Sequence, residues 1–216
     1  MAGQKDRAKI IDALMALAAE GPFNRIGLAD IADKAGVSLA TMRDLYAHKF
    51  AILADFARHI DKAVLEGEVD AAETTTRGRL LDLFMRRFDA LAPYKAGLKR
   101  MAESSRWDPL LGLAMARLAA GSNLWLLAAA GVDTAGLRGA VKAEALVVVY
   151  AQAMRVWLTD EDPGLGATMA ALDKALDRAA GVARSCERAS KMFDPLFARF
   201  AGTRSTAKDD QADIAA

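Results

Sequence analysis

Asp30-Ile31-Ala32-Asp33-Lys34-Ala35-Gly36-Val37-Ser38-Leu39-Ala40-Thr41 is the stretch on which the fold turns. Ile31, Ala32 and Ala35 fall on the inward face of a short helix over about 28–34. Gly36 permits the left-handed turn that ends it, and Val37 is placed to plug that turn into the core. Ser38 stands where its hydroxyl accepts from an unpaired amide at the start of a second helix, which runs to about Tyr46. Two short helices joined this tightly make a helix-turn-helix. The second helix presents its first residues, Leu39, Ala40, Thr41 and Arg43, to an outside partner. In such motifs those residues meet base edges in the major groove of duplex DNA.

On both sides the chain continues as helix. Upstream, Ile10, Ile11, Leu14, Leu17 and Ala18 recur at helical spacing over about 5–20, and Gly21-Pro22 stops them. Downstream, a longer helix is expected from Lys49 toward Val69, then an Asp/Glu/Thr-rich linker over 70–76. Further helices are expected over 77–91, 94–104, 109–130, 136–159 and 166–189, separated by Pro93, Asp108-Pro109, Gly131-Val132-Asp133-Thr134 and Asp160-Glu161-Asp162-Pro163-Gly164. Alternation of the kind that marks strands is absent, so the reading is all-α. The organisation expected is a three-helix helix-turn-helix domain over 1–49, a larger helical domain over 50–200 and a disordered tail over 201–216.

Composition narrows the function. Lys+Arg is 29 and Asp+Glu 28, so the formal charge is +1 and any nucleic-acid contact comes from a local patch. Residues 1–50 carry seven cations against six anions, a thin supply for phosphate neutralisation. Cys186 is the single cysteine, and with His48 and His59 it does not make a zinc site. No metal and no cofactor is expected. The start of the chain has no signal-peptide core, so the cytoplasm is the expected compartment. Leu110–Val132 is long enough to span a bilayer, but Arg117 near its middle makes a central buried helix the expectation. Catalytic signatures such as Gly-x-Ser-x-Gly or a phosphate-binding glycine loop are absent from the sequence, and no enzyme is expected.

The stretch from Arg7 to Leu53 resembles the TetR family of bacterial transcriptional regulators. The resemblance rests on Arg7-x-x-Ile10-x-x-Ala13, Gly21-Pro22-Phe23, Asp30-Ile31-Ala32-x-x-Ala35-Gly36-Val37-Ser38, Thr41 and Lys49. It implies a TetR-like fold, a homodimer, a duplex DNA operator as partner and a small apolar or lipid-like ligand, the protein usually being a repressor. It implies DNA contacts from Gly27, Ser38, Leu39, Ala40, Thr41, Arg43, Tyr46, His48 and Lys49, with Lys49 on a phosphate. Three positions depart from the family. Gly27 replaces a capping threonine, and Arg43 and Leu45 replace two tyrosines that touch DNA.

In the larger domain the big side chains Phe84, Phe88, Met101, Trp107, Leu118, Trp125, Tyr150, Met154 and Trp157 are the expected lining of an apolar pocket. Tyr150, Gln152, Asn123 and Arg155 are its candidate polar anchors. The rows Val141, Ala145, Val148, Val149, Gln152, Val156 and Met169, Leu172, Leu176, Ala180 are expected to build a twofold four-helix interface from the last two long helices. From Val148 to Asp162-Pro163, then Met169 to Leu176, the chain also resembles the coenzyme Q biosynthesis accessory proteins, which have a TetR-like fold and bind lipids. That implies an alternative, a lipid-binding accessory protein whose helix-turn-helix no longer binds DNA. Met192, Phe193, Leu196, Phe197 and Phe200 form a short amphipathic segment, expected to pack on its own domain, with contact to a partner subunit or a membrane surface as the lesser readings.

Overall fold

The computed structural model describes residues 2–67 and 75–181. Residues 1–175 form one compact unit. The chain from 176 to 216 forms a second, of which 176–181 are described. The helices are α1 (Ala2–Glu20), α2 (Leu28–Ala35), α3 (Leu39–Leu45), α4 (Lys49–Glu66), α5 (Thr76–Leu91), α6 (Lys95–Ser104), α7 (Pro109–Ala129) and α8 (Gly136–Trp157). A ninth, α9, covers 166–181. Short 3-10 turns at Phe23–Arg25 and Ala92–Tyr94 precede α2 and α6. No strand occurs among the described residues. Cys186, most of the 70–76 linker, the 191–200 segment and the 201–216 tail lie outside the described residues.

Helix ends follow local chemistry. Gly36 takes φ +65 and closes α2, with Val37 N–H donating to the Ala32 carbonyl at 3.0 Å. The Ser38 hydroxyl accepts from Thr41 N–H at 3.0 Å and so caps α3. His48 caps α4 through Nδ1, which accepts from Ala51 N–H at 3.1 Å. Asp108 caps α7 by accepting from Leu111 N–H at 3.0 Å, with Pro109 as the first helical residue. The acidic loop before α9 is used in the same way. Asp160 Oδ2 accepts from Thr168 N–H and Oγ1, and Asp162 accepts from the N–H groups of Gly164 and Gly166. The bonds from Thr168, chiefly its hydroxyl, hold the Asp160 carboxyl below its ordinary value.

α1 packs on α2, α4 and α6, and its Ile10 and Leu14 are fully buried with Phe23, Ile31 and Ile52. α1 and α6 approach so closely at Gly97 that a Cβ there would lie 2.7 Å from the Met15 carbonyl oxygen. α4 runs from the helix-turn-helix to α5 and α7, and α7 lies against α8. Helix α7 departs from the expectation of all-round burial. Leu111, Ala119, Ser122, Asn123, Leu126 and Leu127 are inside, whereas Leu110, Leu113 and Trp125 stand out to solvent. Its length and apolarity would suffice to cross a membrane. Its polar pair Ser122 and Asn123, however, is bonded into the protein interior.

Candidate nucleic-acid interface and ligand region

α3 is anchored from its inner side. Met42 is buried, and Tyr46 at its C-terminal end is buried with it. The N-terminal end is left outward: Leu39 is 55% exposed, and Ser38, Ala40 and Arg43 are exposed. Thr41 is half-buried, its hydroxyl 2.9 Å from that of Ser38. Asp44 is exposed beside Arg43. The outward set is therefore one cation, one anion and small or apolar side chains. This set can reach base edges but offers little to phosphates.

Besides Ser38, which caps α3, four of the expected DNA contacts have structural work. Tyr46 donates its hydroxyl to Asp55 Oδ2 at 2.5 Å, and the Arg7 guanidinium lies 5.0 Å above its ring. Burial and Asp55 push the Tyr46 hydroxyl up to about 12. Lys49 is turned inward: its ammonium donates to the carbonyls of Phe23 at 2.9 Å and Ile26 at 3.2 Å, over the Phe23 ring. Burial pushes it below its ordinary value. The reason is geometric, since Lys49 starts α4 beside the end of the 3-10 turn, where the Ile26 carbonyl lies past the last turn bond and the Phe23 carbonyl takes the ammonium in addition to the Ile26 N–H. His48 is exposed, but its Nδ1 is occupied as the cap. Gly27 precedes α2 with no side chain to cap it; instead its own N–H donates to Asp30 Oδ2 at 2.8 Å.

Asp55 is the hub behind this face. It accepts from Tyr46, from Arg7 at 3.0 Å and from Arg58 at 2.9 Å, tying α1, α3 and α4 together. Burial opposes its charge, but the three donors outweigh burial and hold it below its ordinary value. Arg7 is thereby a paired cation rather than a free one.

The expected pocket residues divide. Phe84, Phe88, Met101 and Trp157 are buried, and the rings are stacked: Phe84 on Tyr150 at 5.9 Å, Phe88 on Tyr150 at 5.8 Å, Phe88 on Trp157 at 5.5 Å. Leu118, Tyr150 and Met154 are half-buried. Neither the groove between α4 and α7 nor the cleft between α1 and α4 described below is lined by this stack. Trp107 is 90% exposed and Trp125 63% exposed, so neither lines an interior.

A polar cluster that the sequence reading missed, apart from Asn123, lies between α4, α5 and α7. Asp61, Arg87, Ser122 and Asn123 are all buried. Ser122 donates to Asp61 Oδ2 at 2.7 Å, and Asn123 donates to the Ala143 carbonyl at 3.2 Å. Arg87 Nη1 is 3.5 Å from Asp61 Oδ1, an ion pair without a hydrogen bond, and the guanidinium lies 4.8 Å over Tyr150. Burial raises the Asp61 carboxyl, with Arg87 and Ser122 opposing. Asp61 Oδ1, Arg87 Nε and Nη1, and Asn123 Oδ1 have no hydrogen-bond partner. The readable signal was Arg87 itself, a charge on the apolar row Leu80, Phe84, Leu91 of α5.

Asp61 also lines an open groove of about 340 Å³ with Arg58, Lys62, Leu65, Glu66 and Trp125. A second cleft of about 370 Å³ lies between α1 and α4, lined by Arg7, Asp12, Arg58, His59, Lys62 and Tyr94 among others.

No family model matches the chain, and no curated protein matches it in sequence. Solved structures do. A TetR transcriptional regulator from Nitrosomonas europaea ATCC 19718 superposes with a TM-score of 0.60 at 24% identity, over 81% of this chain and 97% of that one. One from Rhodococcus sp. RHA1 gives 0.55 at 15% identity, over 83% and 97%. A TetR-family regulator from Streptomyces coelicolor gives 0.51 at 14% identity, over 92% and 98%. The architecture of this chain, all-α with a helix-turn-helix leading into a larger set of helices, is the fold of the TetR transcriptional regulators.

Proposed function

We propose that the chain is a cytoplasmic, homodimeric transcriptional regulator, a repressor rather than an enzyme. It would bind duplex operator DNA through α2 and α3 and respond to a small apolar ligand held by the helices that follow α3. The domain boundary near residue 49 belongs to the same reading. The observation that carries it is the posture of α3. Its inner side is nailed down by Met42 and Tyr46, while Ser38, Leu39, Ala40 and Arg43 at its N-terminal end are left outward. Ligand and operator would be coupled by a shift between two helix arrangements, driven only by the ligand's differential affinity for them.

A second reading, the lipid-binding accessory protein with a vestigial helix-turn-helix, is favoured by one observation: Lys49 and Arg7 are committed internally. Fluorescence anisotropy of the purified protein separates the two. The probes are DNA from upstream of its own gene and a scrambled control, each titrated with salt. The regulator reading expects tight, sequence-selective binding to the upstream DNA. Equal weak binding to both probes, together with a lipid extracted from the purified protein, supports the accessory reading.

A further inference from the structure

We propose that the cleft between α1 and α4 binds a small organic carboxylate, its anionic end held by Arg58, His59 and Lys62 on α4 and its body laid over Ala8 and Ile11 on α1. The site is separate from the ring stack of Phe84, Phe88 and Trp157, none of which lines it. It stands whether or not the chain binds DNA. Three observations converge on it.

The first is the balance of donors and acceptors. The charged lining is Arg7, Arg58 and Lys62 against Asp12 and Asp55. Both carboxylates already accept: Asp55 Oδ2 from Tyr46 and Arg7, Asp55 Oδ1 from Arg58, and Asp12 Oδ1 from Tyr94. The donors are less fully used. A guanidinium has five N–H groups, and Arg58 meets Asp55 through Nη2 alone. His59 is exposed and has no hydrogen bond or ion pair among the described residues. Lys62 lies 3.5 Å from Glu66, but the two side chains are 69% and 67% exposed, so the pair holds it weakly. The surplus is of donors and of positive charge, which suits an anionic acceptor.

The second is placement. Arg58, His59 and Lys62 stand at i, i+1 and i+4 of α4, and residues four apart on a helix are neighbours. One carboxylate set between Arg58 and Lys62 reaches both without drawing Arg7 from Asp55. All three side chains are exposed, so the carboxylate keeps part of its hydration as it enters.

The third is size and floor. The cleft holds about 370 Å³, within the range of small-molecule pockets and more than an inorganic ion fills. Between Arg7 and Asp12 its α1 wall is apolar, with Ile11 buried and Ala8 presenting a methyl group. An organic body covers that wall, and an inorganic anion leaves it wet.

The test uses the full chain without DNA, at neutral pH and constant ionic strength, with benzoate, benzamide and inorganic phosphate as probes. The chain has two histidines, which form an internal control. His59 lines the cleft, and His48 caps the start of α4 outside it. Binding is followed by the two imidazole resonances in proton–carbon correlation spectra and by calorimetry. The expected result is a saturable shift of His59 with benzoate while His48 stays still. Benzamide, which has the same shape and no charge, should bind at least about tenfold more weakly. Lys62→Ala changes an exposed residue and should weaken benzoate about tenfold. Ala8→Glu sets a carboxylate in the cleft and should abolish the saturation while leaving helicity unchanged. Equal, unsaturable shifts of both histidines would overturn the proposal, as would benzamide binding as tightly as benzoate or undiminished binding in the two variants. Phosphate binding as tightly as benzoate would overturn the assignment to an organic anion.

Discussion

Arg43 and Lys49 carry the same charge in the same helix-turn-helix region, and their surroundings spend it differently. Arg43 stands outward on α3, free to reach a guanine edge or a phosphate. Lys49 satisfies the carbonyls of Phe23 and Ile26. Arg43→Ala should therefore lower operator affinity by about 1–3 kcal/mol while leaving the urea midpoint nearly unchanged. Lys49→Ala should do the reverse, costing stability of about 1 kcal/mol or more by removing the ammonium from the Ile26 carbonyl, while the Phe23 carbonyl keeps the Ile26 N–H. A Lys49→Ala protein with full stability and a shallower salt slope would show that Lys49 reaches phosphate after all. Asp55 gives this region its pH dependence. Its folded value is depressed by Tyr46, Arg58 and Arg7 acting against burial. The stability it contributes is present above its ordinary value of 3.8 and is lost as pH falls through the lower folded value. Asp61 works in the opposite sense. Its raised value lets the folded state take up a proton first, so acidification relieves a cost there. Thermal melts down to about pH 3 should show an acid limb that Asp55→Asn flattens, and an unflattened limb would assign acid sensitivity elsewhere.

At the scale of elements, most of the fold was legible because helix ends are written locally. Gly36, Ser38, Asp108-Pro109 and Gly21-Pro22 each punctuate the chain through backbone chemistry that needs no tertiary context, and the structure uses all of them. The side chains of the candidate sites were less legible, because periodicity says which face is apolar but not what lies against it. Trp125 and Phe88 look alike in sequence, but one faces solvent and the other a stack of rings. Tyr46 and Lys49 match a DNA-contacting motif, but a carboxylate and a set of carbonyls from distant residues claim them. Close approaches are equally invisible. Gly97→Ala should push α1 off α6 and cost about 1–3 kcal/mol, since the new methyl meets a backbone carbonyl that has no room to move. Gly121→Ala on α7 meets nothing within 4 Å and should instead gain about 0.5–1 kcal/mol from helix propensity. Urea unfolding of the two variants reads the sign directly, and a neutral Gly97→Ala would mean the helix crossing is looser than its geometry.

For the whole molecule, the proposed activity rests on two copies acting together, and the outer face of α8 is where that dependence is exposed to test. Leu137, Val141 and Val148 are 79%, 60% and 59% exposed on α8, and Met169 at the start of α9 is 44% exposed. Val149 and Leu172 of the same two rows are already buried within residues 1–175, which leaves only the outer residues for a partner. A run of apolar side chains on one long helix suits a self-complementary twofold contact. With few free cations on the DNA-facing side, a single protomer would hold DNA weakly. About two phosphate contacts per protomer would give a dimer a salt slope near −4 in log K against log salt, and half that for a monomer. Val141→Glu with Val148→Glu adds charge to exposed positions and should leave helicity and the melting midpoint of the protomer nearly unchanged. It should halve the mass seen by sedimentation, abolish tight operator binding and leave a residual slope near −2. A double variant that stays dimeric would move the interface off α8; one that becomes monomeric yet binds its operator undiminished would show that a lone α3 is enough.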